Sequence, residues 1–237
     1  MIPALLQPLL LQTDIQGGSS SAMEWVNFAI RWLHVWLGIV WLGHLYFFNF
    51  VNANTMPKLD GPTKKMVVPQ LMPRALFWFR WGAAITWITG ILLFGLVYFH
   101  QKAFFQTTVD AGNILQGGSK TISPRGIWML LGVVFGTVMA FNVWFVIWPR
   151  QKAIIPATRD GKAGEPEIQA MVKTATAASK LNTYLSVPML ASMISSHFPS
   201  ILYGSVNMAL ITMLILTLIG FALVWHVYKV AAKVSGM

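Results

Sequence analysis

Cysteine is absent from the 237 residues. That excludes disulfides, thiolate metal sites, iron–sulfur clusters and a covalently attached haem, which needs C-x-x-C-H. Any haem would have to be held by other side chains. Charge is also scarce: 10% of residues are charged, where a soluble domain has about 25%. With 56% of residues hydrophobic, an ordinary soluble domain is excluded and the chain reads as membrane-embedded. Acidic residues number only 7, and none falls inside a long apolar run, so those runs offer no carboxylate for acid–base chemistry. The formal net charge is +10. In a soluble protein this would suggest nucleic acid. Here the basic residues cluster between apolar runs, where they report topology, and no nucleic-acid partner is expected.

Residues 1–22 (MIPALLQPLLLQTDIQGGSSSA) hold a short Leu-rich run broken by Pro3 and Pro8. With no Lys or Arg they lack the positive region of a signal peptide, and the run is too short to span. They read as an interfacial or partner-docking segment ending in a Gly/Ser linker, distinct from a membrane domain over 23–237.

A spanning helix needs about 20 mostly apolar residues. Five segments qualify: Trp25 to Val51, Leu76 to Phe99, Ile127 to Trp148, Leu181 to Phe198 and Val206 to Val230. The expected fold is all-α, a bundle of five transmembrane helices. The fourth segment is the weakest. It carries Asn182, Thr183, Ser186, Ser195 and Ser196, with Pro188 expected to kink it, which places it inside the bundle. Pro166 to Lys180 reads as a polar helix running into it, with Pro and Glu early and Lys late, complementing the helix dipole. Gln101 to Pro124 reads as an outer loop. With five spans, 13 of the 17 basic residues fall on one side. The positive-inside rule then puts the N-terminus outside and the C-terminus in the cytoplasm, as a multi-pass protein of the inner (plasma) membrane.

The chain is organised around Arg31 to Asn52, RWLHVWLGIVWLGHLYFFNFVN. It carries His34 and His44 at membrane depth, where an ionisable side chain is costly and marks a functional site. His44 lies ten residues on from His34, about 15 Å nearer the cytoplasm. His197 falls at the outer end of the fourth span and His226 near the inner end of the fifth. The outer group is His34 and His197, with His100 beside them, and the inner group is His44 and His226. This is the layout expected of one or two bis-histidine haem b groups with iron held by His34, His197, His44 and His226. Ten residues also turn the two rings about 80° apart around the helix, so two haems would need different sides of it. Arg31, Arg80 and Arg125 lie near span ends, where they could pair with haem propionates. Gly38, Gly43, Gly90, Gly95, Gly132 and Gly136 give room for close helices or a flat macrocycle.

Plainer readings stand beside these. His100 and His226 fit an interfacial belt, His34 and His44 could hydrogen-bond across helices, and the arginines could be topology anchors. The GxxxG spacing at Gly132 and Gly136 and the abundant Trp and Met fit packing.

Two stretches carry a family resemblance: Arg31 to Asn52, and KLNTYLSVPMLASMISSHFP, Lys180 to Pro199. Together they resemble the membrane domain of the PuuD-type urate hydroxylase family, known as the urate oxidase N-terminal domain. The F-W-F-R-W at Phe77 to Trp81 fits less specifically. The R-W-L-H-V opening is more loosely similar to CopD-like and HemJ-like membrane haem proteins. The resemblance implies a multi-span membrane protein linked to electron transfer, with His34 and His197 the positions that matter most. Full-length members carry a C-terminal cytochrome c domain, and this cysteine-free chain is expected to lack it. Electrons would then pass to quinone or a separate cytochrome c.

Three functions follow as expectations. One is a b-type cytochrome-like electron-transfer subunit, in contact with lipid and with other subunits of a larger redox complex. Another is a membrane oxidoreductase related to urate hydroxylase, whose polar pocket could draw on Thr86, Thr89, Thr137, Asn142 and Asn49. The third is a haem-free structural subunit. Five spans without repeats or a buried acid argue against a transporter.

Overall fold

The computed structural model describes residues 19–100, 104–108, 119–198 and 205–234. Helix α1 (Ser19–Tyr46) passes into a π-helical segment, Phe47–Asn52, and closes in short turns ending at Lys58. Helix α2 (Gly61–Phe94) ends in a second π segment, Gly95–His100. Two short antiparallel strands follow, β1 (Phe105–Thr108) and β2 (Ser119–Ile122), with Phe105 opposite Ile122. Helix α3 (Pro124–Phe141) runs through a third π segment, Asn142–Ile147, into α4 (Trp148–Arg159). Helix α5 (Pro166–Ile194) ends in a 3₁₀ turn, Ser195–His197, and α6 (Val206–Lys233) closes the chain's described part.

The starts of these helices are written in the sequence. Asp60 accepts the Thr63 N–H, Ser123 that of Gly126 and Ser205 that of Met208, each satisfying a first-turn donor. Proline occupies the first turn of α2, α3 and α5, where its missing N–H has no intrahelical partner to lose.

The fold is the expected helical membrane bundle, with four of the five expected spans meeting the length and hydropathy of a crossing helix. Four helical stretches are long and apolar enough to cross a membrane: Ala22–Lys58, Gly61–Phe99, Pro124–Arg159 and Val206–Lys233. Helix α5 is long enough, at 29 residues, but its buried Asn182, Thr183, Ser186 and Ser192 keep its composition below that standard. The stretch before Leu76, left outside the second span because the apolar run starts there, is helical from Gly61 through Pro69 and Pro73. Each proline removes one ladder bond without ending the helix. Arg74 and Arg80 therefore sit on α2 and not in a loop. The Gly/Thr/Ser-rich segment after α2 holds a strand pair where only loop was expected. The partner-docking segment expected at 1–22 lies outside the described residues up to residue 18, and its last four residues belong to α1.

The main core gathers Trp41 and Leu45 from α1, Leu76, Phe79 and Ala83 from α2, Met139 and Val143 from the third helix, and Met189 from α5. Helix α6 joins through Ala209 and Met213, packed with the fully buried Trp128 of α3. Large apolar side chains cover the outside, among them Trp25, Trp32, Ile39, Phe145, Leu214 and Leu218. Apolar faces all round are the mark of helices meant for lipid. The chain is a multi-pass membrane protein.

Candidate functional site

His34 is half-buried on the side of α1 that faces α2. Its Nδ1 donates to the Thr86 carbonyl at 2.9 Å and lies 3.1 Å from Thr89 Oγ1. A carbonyl only accepts, so Nδ1 carries the proton and Nε2 keeps its lone pair. Thr89 in turn donates to the carbonyls of Ile85 and Thr86, which leaves its oxygen to accept from the ring. Room for the ring comes from Gly90: a Cβ there would stand 3.0 Å from His34 Cε1.

His44 makes the same kind of bond within its own helix. Nδ1 donates to the Val40 carbonyl at 2.7 Å, again leaving Nε2 as the open nitrogen. The ring lines a groove of about 470 Å³ between α1 and α2, with Gly43 and Phe47 on one wall and Leu71, Arg74 and Trp78 on the other. That volume lies within the range of about 300–1,000 Å³ common for small-molecule and cofactor sites. Arg74 was counted in the sequence only as a topology charge. The helical path of residues 61–75 is what brings it to this groove.

Two further histidines are exposed. His197 lies in the turn that ends α5, and His226 on the outer face of α6. Cross-helix bonds set their levels. Tyr46 pairs with Ser186 at 2.9 Å, and Asn49 donates to Ser179 at 2.8 Å, so α1 and α5 run antiparallel. Carried along both helices at about 1.5 Å per residue, that register brings the His197 turn to the level of His34. Tyr228 of α6 donates to Asn49 Oδ1 at 2.8 Å, which places His226 close to the level of His44. His44 precedes Asn49 by five residues, however, so its ring points about 140° away from the α6 contact. The structure therefore puts His44 and His226 at one level but on different faces, with His44 turned to α2.

The three arginines take separate surroundings. Arg31 Nε donates to Asn27 Oδ1 one turn back. Arg80 stacks on Trp148 and Trp144 of the third helix. Arg125 lies 5.4 Å from the Tyr98 ring centre. Among the described residues no group of three or more His, Asp or Glu side chains is placed to share a metal ion.

A polar seam runs inside the bundle. Asn49 bridges Tyr228 and Ser179, and Asn142 donates to Asn182 at 2.8 Å, which donates to the Met139 carbonyl at 3.0 Å. Asn182, Thr183 and Ser186 are fully buried, as the composition of that span led one to expect. Two seam residues, Asn49 and Asn142, stand in π segments, whose wider turns often mark functional positions. Tyr46 and Tyr228 were not singled out from the sequence. The Tyr–x–x–Asn spacing of Tyr46 and Asn49 is the one signal that could have found them.

A family model described as urate oxidase N-terminal matches residues 59–116 and 112–236. The chain belongs to the urate oxidase N-terminal family. The match runs from the start of α2 to the end of α6, and so takes in the Lys180 to Pro199 stretch, the seam residues of α5 and His197. Residues 1–58, with His34 and His44, lie outside the part matched to the urate oxidase N-terminal family. No curated protein and no solved structure matches the chain.

Proposed function

We propose that this member of the urate oxidase N-terminal family is an electron-transfer protein of the inner membrane that binds haem b through imidazole. In this reading α5 is a fifth span, the N-terminus is outside and residues 23–237 form the haem-binding domain. Residues 1–22 would dock on other subunits of a redox complex. One observation carries the proposal: both deep histidines donate Nδ1 to a backbone carbonyl and leave Nε2 open. That second-sphere bond is the usual one for a metal-ligating histidine, fixing tautomer and ring orientation.

The groove at His44 suits a flat apolar group with acidic arms. Phe47 and Trp78 supply walls, Gly43 supplies room and Arg74 supplies a positive charge for a carboxylate. Bound there, haem would supply one-electron iron chemistry. His44 holds its own ring through Val40, and apolar side chains line the groove beside it. His34 and His197, level with one another, are the proposed outer pair. His226 faces elsewhere, so the inner site rests on His44.

The test is haem content per chain and a reduced-minus-oxidised spectrum of the purified protein. A b-type signal is expected, low-spin from the His34 and His197 pair and high-spin from a site resting on His44 alone, with His34→Leu removing the first share and His44→Leu the second. A colourless preparation that stays folded would overturn the proposal. Family membership favours a second reading, an oxidoreductase related to urate hydroxylase. Urate turnover by the purified protein, with quinone or cytochrome c as acceptor, would decide for it.

A further inference from the structure

The guanidinium carbon of Arg80 lies 3.9 Å from the ring centre of Trp148 and 5.4 Å from that of Trp144. The Trp144 indole N–H donates to the Arg80 carbonyl at 3.1 Å, which ties one ring to the helix that carries the charge. Lys152 Nζ stands 5.9 Å from the Trp148 centre. Two cations thus share one indole. Arg80 Nε is buried with no hydrogen-bond partner among the described residues. The one ion pair among those residues is Arg159 with Asp160, both exposed. Between Gly61 and Arg159 the sequence has a single carboxylate, Asp110, which belongs to the segment joining β1 and β2. The Arg80 charge is permanent, and no acid of α2, α3 or α4 answers it.

We propose that Arg80, Trp144, Trp148 and Lys152 bind the phosphate of an anionic phospholipid where α2 and α4 leave the bilayer. The level is set by Trp148, the last apolar residue before Pro149, Arg150, Gln151 and Lys152. Tryptophan favours headgroup depth, and basic sites between helices at that depth hold anionic lipid heads. The planar guanidinium matches a phosphate with two parallel donors. A free phosphate ion would satisfy the charge alone. A lipid also satisfies the apolar wall beside it, where Trp81 is 44% and Phe145 67% exposed and Trp81 packs edge-on against Trp144. The occupant is therefore a lipid.

The full chain, stripped of lipid in neutral detergent, would be titrated with phosphatidylglycerol, phosphatidylcholine or inorganic phosphate and read by native mass spectrometry. One phosphatidylglycerol per chain is expected, retained in preference to phosphatidylcholine. Lys152→Gln should weaken it about fivefold, the worth of one basic residue near an anionic surface, and Arg80→Gln should weaken it further. Arg80→Lys keeps the charge without the fork, and serves should Arg80→Gln fail to fold; it too should bind more weakly. Equal retention by wild type and both Arg80 variants would overturn the proposal, as would displacement of the lipid by millimolar phosphate. Haem content measured on the same samples separates this site from a propionate partner. Loss of haem with unchanged lipid retention in Arg80→Gln would sink the lipid site and leave the haem reading standing.

Discussion

Asn182 shows what a single side chain does inside this bundle. It accepts from Asn142 and donates to the Met139 carbonyl, and it is fully buried. Replacing it with Leu keeps the volume but leaves the buried Asn142 amide donor unanswered, while the Met139 carbonyl keeps the Asn142 backbone N–H. The expected cost is about 1–3 kcal/mol, at the upper end of what interhelical hydrogen bonds in membranes contribute. A lowered midpoint in denaturing-detergent titration is the measurement. Asn142→Leu together with Asn182→Leu should cost less than Asn182→Leu alone, because the orphaned donor goes too. A double variant worse than the single would mean that the pair is not what couples these helices. The sequence showed Asn182 and Asn142 as polar residues in apolar runs, but not that they meet. Spacing along one helix says nothing about which residue of another helix lies opposite. For the same reason His34 and His44 stood out by depth alone, whereas the Arg74 beside His44 did not.

At the scale of elements, the close approach of α3 and α5 depends on Gly132. A Cβ there would lie 2.0 Å from Ser192 Oγ and 3.1 Å from Ser192 Cβ. Ser192 is fully buried and donates to the Met189 carbonyl, so its oxygen can yield only by giving up that bond. Gly132→Ala is expected to destabilise the bundle by about 1–3 kcal/mol, the usual cost of overpacking. Ser192→Ala removes the nearest atom and should recover part of it in the double variant, read as a non-additive cycle. The GxxxG pattern thus marks packing, the plainer of the two readings given to it. The start of α2 gives a pH-dependent counterpart. Hydrogen bonds from Thr63 hold the Asp60 carboxyl below its usual range. A carboxyl lowered by folding stabilises above its unfolded pKa, about 3.9, and that contribution fades as pH falls through the folded value. Amide protection in the first turn of α2, measured against the unfolded rate at the same pH, should therefore fall below about pH 4, and Asp60→Asn, which caps without titrating, should abolish the change. The first-turn proline and charge order of α5 made its start legible, whereas the caps at Asp60, Ser123 and Ser205 were not read. The π segments were not, because a wider turn leaves no mark in hydrophobic period. The start of α2 was missed because the apolar run begins only at Leu76, while the helix continues back through Pro69 and Pro73, each costing it one bond and one clash.

For the molecule as a whole, the open point is whether α5 crosses. Its polar residues face inward and are satisfied there, so a low average hydropathy is what a span surrounded by other spans would have. The gathering of 13 basic residues on one side holds when it crosses; without that crossing Lys229 and Lys233 would change sides and the bias would weaken. The chain has no cysteine, so single cysteines can be read without background. Lys120→Cys in β2 and Asn207→Cys in the first turn of α6 are expected to react with a membrane-impermeant maleimide on intact cells. Lys162→Cys, before α5, and Lys233→Cys, at the end of α6, are expected to react only after lysis. Labelling of positions 162 and 207 from the same side would make α5 a re-entrant helix. His197 would then lose its place at the level of His34, and the outer pair with it. The Arg80 site, built on α2, the Asn142–Ile147 segment and α4, would be untouched by that result.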